Sequence, residues 1–429
     1  MSDPAPVADN WTHQPLHPAH EVRCPVCHEV VPAGPHCTHC GISLPQDQLP
    51  LPEPPKMRHL GVLKVIFIPL IVLFALLMAA MVIDAAPSIT GLVLVIAAAL
   101  LPAVIFAALV IRLDRYEPEP PAWMFGALLW GAVGATSLTI ITSLMLRLGN
   151  DGNQRFVQSL IGAPILEESF KAVALIVLTY GFRHELDNTL DGLIYGGLIG
   201  IGFAFSENLL YFEESFKRYG MGGLGTLFVM RVLIGGWGHC VYTGMVGAAI
   251  GWSRTQYRRG FVRFVVPALV LLLAIALHTA WNWAALINAQ SANSIEHAFV
   301  LQAIVAVIVI LPGLLLLFLV AKESQRRQLQ IVREQLKEEV STGHLTAAEY
   351  AVLSSDDLRG RALRHAKAVD SQLATDLKRF LNTAVELAFL KQHIEKGEQL
   401  DDRRAIMLER YRRILADLRP GILPLQRTS

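Results

Sequence analysis

Pro164-Ile165-Leu166-Glu167-Glu168-Ser169-Phe170-Lys171 lies inside an apolar run, residues 157–181, long enough to cross a bilayer. A charged side chain at the centre of a membrane helix costs about 2.5–3.5 kcal/mol on insertion scales. Glu167, Glu168 and Lys171 therefore read as parts of a buried polar site. Working outward, further polar and ionisable groups stand in other apolar runs: Glu207-Asn208, Arg231, His239 and His278. About eight such runs of bilayer-spanning length are expected, near 60–83, 91–112, 122–147, 157–181, 191–212, 226–252, 262–287 and 298–321. The chain is 53% hydrophobic and only 17% charged, and its mean hydropathy of +0.43 is too high for a soluble globular protein. The predicted fold class is an all-α polytopic membrane protein, because a helix satisfies its own backbone in lipid.

Three parts are expected along the chain. Residues 1–56 are polar and Pro-rich, with cysteines at their centre, and Pro45, Pro50, Pro52, Pro54 and Pro55 make a stiff linker. Residues 57–321 form the membrane core, and 322–429 a charged, helical tail. Lys and Arg concentrate before the first span and after the second, fourth, sixth and eighth, as in Lys56, Arg58, Arg112, Arg115, Arg183, Arg254 and Lys322. By the positive-inside rule both termini are predicted cytoplasmic in a multi-pass protein of the cell membrane. The first fifty residues lack an apolar leader, so no cleavable signal peptide is expected. A net charge of +1 says nothing about nucleic acid, and no nucleic acid is predicted as a partner.

Cys24-x-x-Cys27 and Cys37-x-x-Cys40-Gly41 are separated by nine residues. Two such knuckles offer four thiolates that can converge tetrahedrally on a structural zinc, and a cytoplasmic segment should not hold stable disulfides. His28, His36 and His39 stand close enough in sequence to substitute for one thiolate. The expected module is a small zinc ribbon with a recognition or assembly role, and metal would supply most of its folding energy. Cys240 reads as a small buried hydrophobe.

Lys171 is i+3 from Glu168 and i+4 from Glu167, so it can neutralise one of the two. Adjacent helix residues point about 100° apart, so the glutamates are expected to divide the work. One is paired and structural, the other is a free base, and spacing does not say which. With the predicted topology, Glu167, Glu207, Arg231, His239 and His278 all fall in the outer half of the bilayer although they come from different spans. A buried glutamate opposite histidines suits water activation, with the histidines either binding a metal or stabilising an oxyanion directly. A proton-coupled transporter or channel uses the same residue types in membranes, and a non-catalytic scaffold is a further alternative. Asn282 stands i+4 from His278, with Trp281 beside it. Glycines at 192, 196 and 200, and at 244, 247 and 251, are spaced for close helix packing.

In the tail, Leu329, Val332, Leu336 and Val340 recur at helical spacing, as do Leu377, Phe380, Leu381, Ala384 and Ala388. Thr346-x-x-Glu349 reads as a capping box. A small helical bundle is expected, which together with the zinc ribbon could dock a cytoplasmic protein partner.

The ordered motifs Pro164-x-x-Glu167-Glu168-x-x-Lys171, Phe203-x-x-x-Glu207-Asn208, His239 and His278 resemble those of the PrsW intramembrane proteases. So does the run Asp114-Arg115-Tyr116-Glu117-Pro118-Glu119-Pro120 before the third span. The likeness covers roughly residues 60–290. The wider clan includes CAAX prenyl endopeptidases, which carry a histidine where Glu207 stands. The resemblance implies an endopeptidase that cleaves a membrane-anchored substrate, such as an anti-sigma factor. Glu167 and Glu168 would hold the general base, and Glu207, His239 and His278 would line the site as polar stabilisers or ligands of a catalytic zinc. Lys171, Asn208, Arg231 and Asn282 would support them. No His-Glu-x-x-His motif accompanies these residues.

Overall fold

The computed structural model describes residues 21–24, 26–32, 39–40, 72, 74–76, 79–80, 88–116, 119–147, 157–181, 186, 188–255, 260–291, 295–395 and 402–426. Most of the first expected span, and Cys37, Glu117 and Arg183, lie outside them. The chain divides into two compact units. One holds 57–334 with 353–355, the other 1–56, 335–352 and 356–429.

The first unit is a bundle of apolar helices. Ser88 caps α1 (Ile89–Ile111), accepting the Gly91 N–H. Pro120 and Pro121 open α2 (Pro121–Leu129), which passes through a π-helical turn, Trp130–Ala135, into α3 (Thr136–Arg147). A second π-helical turn, Gln158–Gly162, leads into α4 (Ala163–Gly181), the helix of the paired glutamates. Then follow α5 (Thr189–Phe228), a π-helical turn at Val229–Ile234, α6 (Gly238–Thr255), α7 (Val262–Ser291), α8 (Ile295–Val305), a π-helical turn at Ala306–Ile310, and α9 (Leu311–Gln335).

Among the described residues, five stretches are long and apolar enough to cross a membrane: Ile89–Ile111, Pro121–Leu146, Thr189–Thr255, Val262–Leu286 and Glu296–Ser341. The third has 67 residues, about 100 Å if straight, and holds two of the expected spans folded back on each other. The expected span at 157–181 is helical, but Glu167, Glu168 and Lys171 lower its hydropathy. The change in composition at 321–322 does not end a helix, because α9 runs straight through it. Charge marks where the chain leaves an apolar layer, and helical hydrogen bonding continues in water.

Two features of α5 position the site. The first is a seam of small residues. A β-carbon on Gly192 would overlap the Gly247 carbonyl, one on Gly196 the Thr243 carbonyl, and one on Gly200 the His239 carbonyl. As α5 numbers rise, α6 numbers fall, so the helices run antiparallel in backbone contact, which fixes His239 in register. On another face, a β-carbon on Gly202 would overlap the Leu128 carbonyl of α2, and Ser206 donates to the Ala132 carbonyl at 2.6 Å.

The second feature is a reversal. Phe212 and Phe228 would stand about 24 Å apart on a straight helix, yet their ring centroids are 6.2 Å apart. The chain turns at Gly220, with φ 62 and ψ −148, a combination open in practice to glycine alone. The returning segment packs Leu224 and Val232 with Val95, Ala99 and Phe212. It also carries Arg231 back to the level of Glu207.

In the second unit, Glu21–Arg23 (β1) pairs antiparallel with Val30–Pro32 (β2), Val22 opposite Val31. The tail forms α10 (Lys337–Ser341), α11 (Ala347–Leu353), α12 (Asp356–Val369), α13 (Ser371–Glu395) and α14 (Asp402–Gln426). The Thr346–Glu349 box forms in both directions. Thr346 N–H donates to Glu349 Oε2 at 2.7 Å, and Glu349 N–H to Thr346 Oγ1 at 3.2 Å. Leu377, Phe380, Leu381, Ala384 and Ala388 are the buried face of α13. Fully buried Glu339 receives Lys391 at 2.7 Å and both arms of Arg412 at 2.9 Å.

Candidate active site in the membrane core

The polar groups of five segments, α4, α5, the π-helical turn at Val229–Ile234, α6 and α7, meet in one network. Glu168 and Lys171, one turn apart on α4, are 1% and 0% exposed and pair at 2.7 Å. The Lys171 ammonium also lies 2.8 Å from His239 Nδ1 and 3.9 Å from the Phe203 ring centroid. Thr243 donates to the other Glu168 oxygen at 3.2 Å. His278 Nδ1 lies 3.0 Å from Glu168 Oε1, and its Nε2 lies 3.7 Å from Glu167 Oε2. On the far side of His239, Nε2 is 2.7 Å from Glu207 Oε2. Arg231 grips Glu207 at 2.6 Å and Asn208 Oδ1 at 2.7 Å.

This geometry fixes proton positions. An ammonium has only N–H groups to offer, so His239 Nδ1 accepts from Lys171. Its Nε2 therefore carries the hydrogen and donates to Glu207. His278 Nδ1 donates to the Glu168 carboxylate, which leaves Nε2 facing Glu167. Glu168 is held by three partners. Glu167 is different: its Oε2 is buried and has no hydrogen-bond partner among the described residues.

All five expected site residues are thus brought together, with Lys171, Asn208 and Arg231 supporting them. Asn282 makes no hydrogen bond to the network among the described residues. Thr243 and Tyr242 belong to it and were not expected. The available signal was their spacing, i+4 and i+3 from His239 on one helix face. A cleft reaches the network, lined by Asn208, Arg231, His239, Tyr242, His278 and Trp281. At the other end of α5, Tyr195 donates to buried Glu119 at 2.6 Å, and the Glu119 N–H donates to Asp114 at 2.5 Å. Twelve residues, about 18 Å of helix, separate Tyr195 from Glu207. The motif around Asp114 and Glu119 therefore braces the bundle away from the cleft.

Donor atoms of Glu167, His239 and His278 lie within 4.8 Å of one another, close enough to share a metal ion. The hydrogen bonding does not fit that use. A neutral imidazole has one lone pair, and that of His239 accepts from Lys171. Glu207, expected as a third ligand, instead takes Arg231 and His239 on Oε2. In the other unit, Cys24, Cys27 and Cys40 do converge, with Cys24 and Cys40 Sγ 3.6 Å apart. The Cys27 backbone N–H, above all, draws the Cys24 thiol down to about 6 against the opposing effect of burial. His28 turns the first knuckle at φ 59. Cys37, the expected fourth ligand, lies outside the described residues.

A bundle of membrane helices enclosing paired carboxylates and imidazoles, open to a cleft, has the groups that water activation in a membrane requires. Residues 119–314 match the family described as PrsW family intramembrane metalloprotease. Protease PrsW of Bacillus subtilis (strain 168) is 27% identical over 177 residues, 41% of this chain and 77% of that protein. Protease PrsW of Geobacillus kaustophilus (strain HTA426) is 24% identical over 170 residues, 40% of this chain and 70% of that protein. That of Clostridioides difficile (strain 630) is 31% identical over 105 residues, 24% and 44% of the two chains. No solved structure matches. Residues 119–314 of the membrane core carry a PrsW-type intramembrane protease domain. The chain is a multi-pass membrane peptidase, and a protease domain of this family implies membrane proteins as substrates.

Proposed function

We propose that the core cleaves a membrane-anchored protein by glutamate-activated water, with Glu167 as the general base. The observation that carries this is the asymmetry of the two glutamates. Glu168 is consumed by Lys171, Thr243 and His278. Glu167 keeps a buried oxygen unpartnered. In this reading Glu167 takes a proton from water as the water oxygen bonds to the scissile carbonyl carbon. It then gives that proton to the leaving nitrogen as the C–N bond breaks. His278 faces the base at 3.7 Å, and Lys171 and Glu207 hold His239. His239 has no lone pair left to give a metal, so in this reading water is activated by Glu167 alone.

The resemblance supports an anti-sigma factor or similar single-span regulator as substrate, and a role in signalling. Positive-inside charge supports cytoplasmic termini, with the cleft in the outer half of the bilayer. Cys24, Cys27, Cys37 and Cys40 would hold a structural zinc, and the zinc ribbon and tail would dock a cytoplasmic partner. The test is cleavage of a membrane-anchored reporter in liposomes. Glu167→Gln should fold normally and lose turnover; wild-type turnover in that variant would refute the assignment.

A further inference from the structure

Tyr242 sits on α6 one turn after His239, and its role is not explained by packing alone. The residue is 1% exposed, yet its hydroxyl has no hydrogen-bond partner among the described residues. Buried phenols ordinarily have one. The ring stacks on His278, centroids 5.3 Å apart and planes 20° apart, and meets His239 edge-on at 6.2 Å. A phenylalanine would make both ring contacts. What the hydroxyl adds is a donor, and its surroundings say where that donor is aimed. The side chain leans back along the helix over Gly238, where a β-carbon would lie 3.4 Å from the hydroxyl oxygen. Gly238 and Tyr242 both line the cleft.

The cations of the site are already committed, Lys171 to Glu168 and His239, Arg231 to Glu207 and Asn208. The stacked His278 ring faces the Glu167 oxygen. The phenol and the Glu167 carboxylate, neither hydrogen-bonded among the described residues, therefore flank one imidazole, His278, which itself lines the cleft. We infer that Tyr242 is a catalytic residue whose O–H hydrogen-bonds the oxygen of the scissile peptide carbonyl and stabilises the oxyanion that forms there. This rests on the peptidase reading above and deepens it. As water adds, Glu167 takes the proton, the new C–O bond forms, and the carbonyl π pair moves to the oxygen facing Tyr242. The phenol keeps its proton throughout. When the pair returns, the C–N bond breaks and the amine leaves with the proton from Glu167. A donor used chiefly in the transition state raises kcat more than it lowers KM.

The test is Tyr242→Phe beside Glu167→Gln, both as the full chain in liposomes. The substrate is a single-span peptide selected from a transmembrane-peptide library by wild-type cleavage. The expected result is a fall in kcat of about 100-fold or more, with KM nearly unchanged and the melting temperature unchanged or raised. A peptide aldehyde whose hydrate mimics the tetrahedral adduct should lose affinity in parallel with kcat. Wild-type kcat in Tyr242→Phe, with Glu167→Gln inactive, overturns the Tyr242 assignment alone. A Tyr242→Phe variant that is unstable or fails to fold overturns it too, because the hydroxyl would then be structural. Wild-type turnover in Glu167→Gln removes the base on which both readings depend.

Discussion

Replacing Lys171 by Met keeps most of the side chain's volume and removes the cation that sits between Glu168 and His239. Lys171 and Glu168 are 0% and 1% exposed, so the carboxylate left behind has no water to turn to. Breaking a buried pair by removing one partner costs about 3–5 kcal/mol. Thr243 and His278 still bond Glu168, which places the expected loss near the lower end, about 3 kcal/mol. That is roughly a 150-fold change in the folding equilibrium, since 1.4 kcal/mol is tenfold. Adding Glu168→Gln removes the stranded charge. The double variant should therefore regain about 1–2 kcal/mol over the single, within the 0.5–3 kcal/mol seen for coupled neighbours. The assay is reversible unfolding of the purified protein in mixed detergent micelles, followed by circular dichroism. A Lys171→Met variant as stable as wild type would refute the reasoning, as would a double variant less stable than the single. Either result would mean that Glu168 is not held as an ion.

Gly220→Ala meets no atom within 4 Å of its new β-carbon, so its cost is the backbone conformation alone, about 1–3 kcal/mol; it should lower the melting temperature and loosen Arg231 from Glu207, and an unchanged melting temperature would contradict the turn described. Burial raises the Asp114 carboxyl from 3.8 to about 7, only partly offset by the Glu119 N–H. The native state then holds that proton more tightly than the unfolded chain, so stability should fall as pH rises from about 4 to about 7, and Asp114→Asn should flatten the fall in a pH series of melting curves. Cys24→Ser should abolish bound zinc in elemental analysis and unfold the N-terminal module while leaving reporter cleavage intact; residual stoichiometric zinc would place a metal among the membrane imidazoles.

How much of this was legible beforehand differs from residue to residue. The division of labour between Glu167 and Glu168 was expected from their 100° offset, but its direction was not. That direction depends on Thr243 and His278, which arrive from α6 and α7 and choose Glu168. Thr243 and Tyr242 carry no signal on their own, since a hydroxyl in a membrane helix most often serves its own backbone. The resemblance implied Glu207 as a polar stabiliser or a metal ligand, and it is an ion-pair partner of Arg231 because Gly220 lets the chain return. The first knuckle's convergence with Cys40 was readable from Cys-x-x-Cys spacing, because two short turns leave thiolates few other places to point.

By itself the sequence determined the solvent and the secondary structure. Apolar runs of spanning length admit only helices in lipid, and the charges within them admit only a shared interior. It also named the charged and imidazole side chains involved, since each is costly in hydrocarbon. Only the tertiary structure decided which hydrogen bonds form among them. A proton's position on His239 is set by an ammonium sixty-eight positions away in the chain, and the free oxygen of Glu167 by partners that went to its neighbour. Hydrogen-bond satisfaction is a property of the closed network and cannot be apportioned to local sequence.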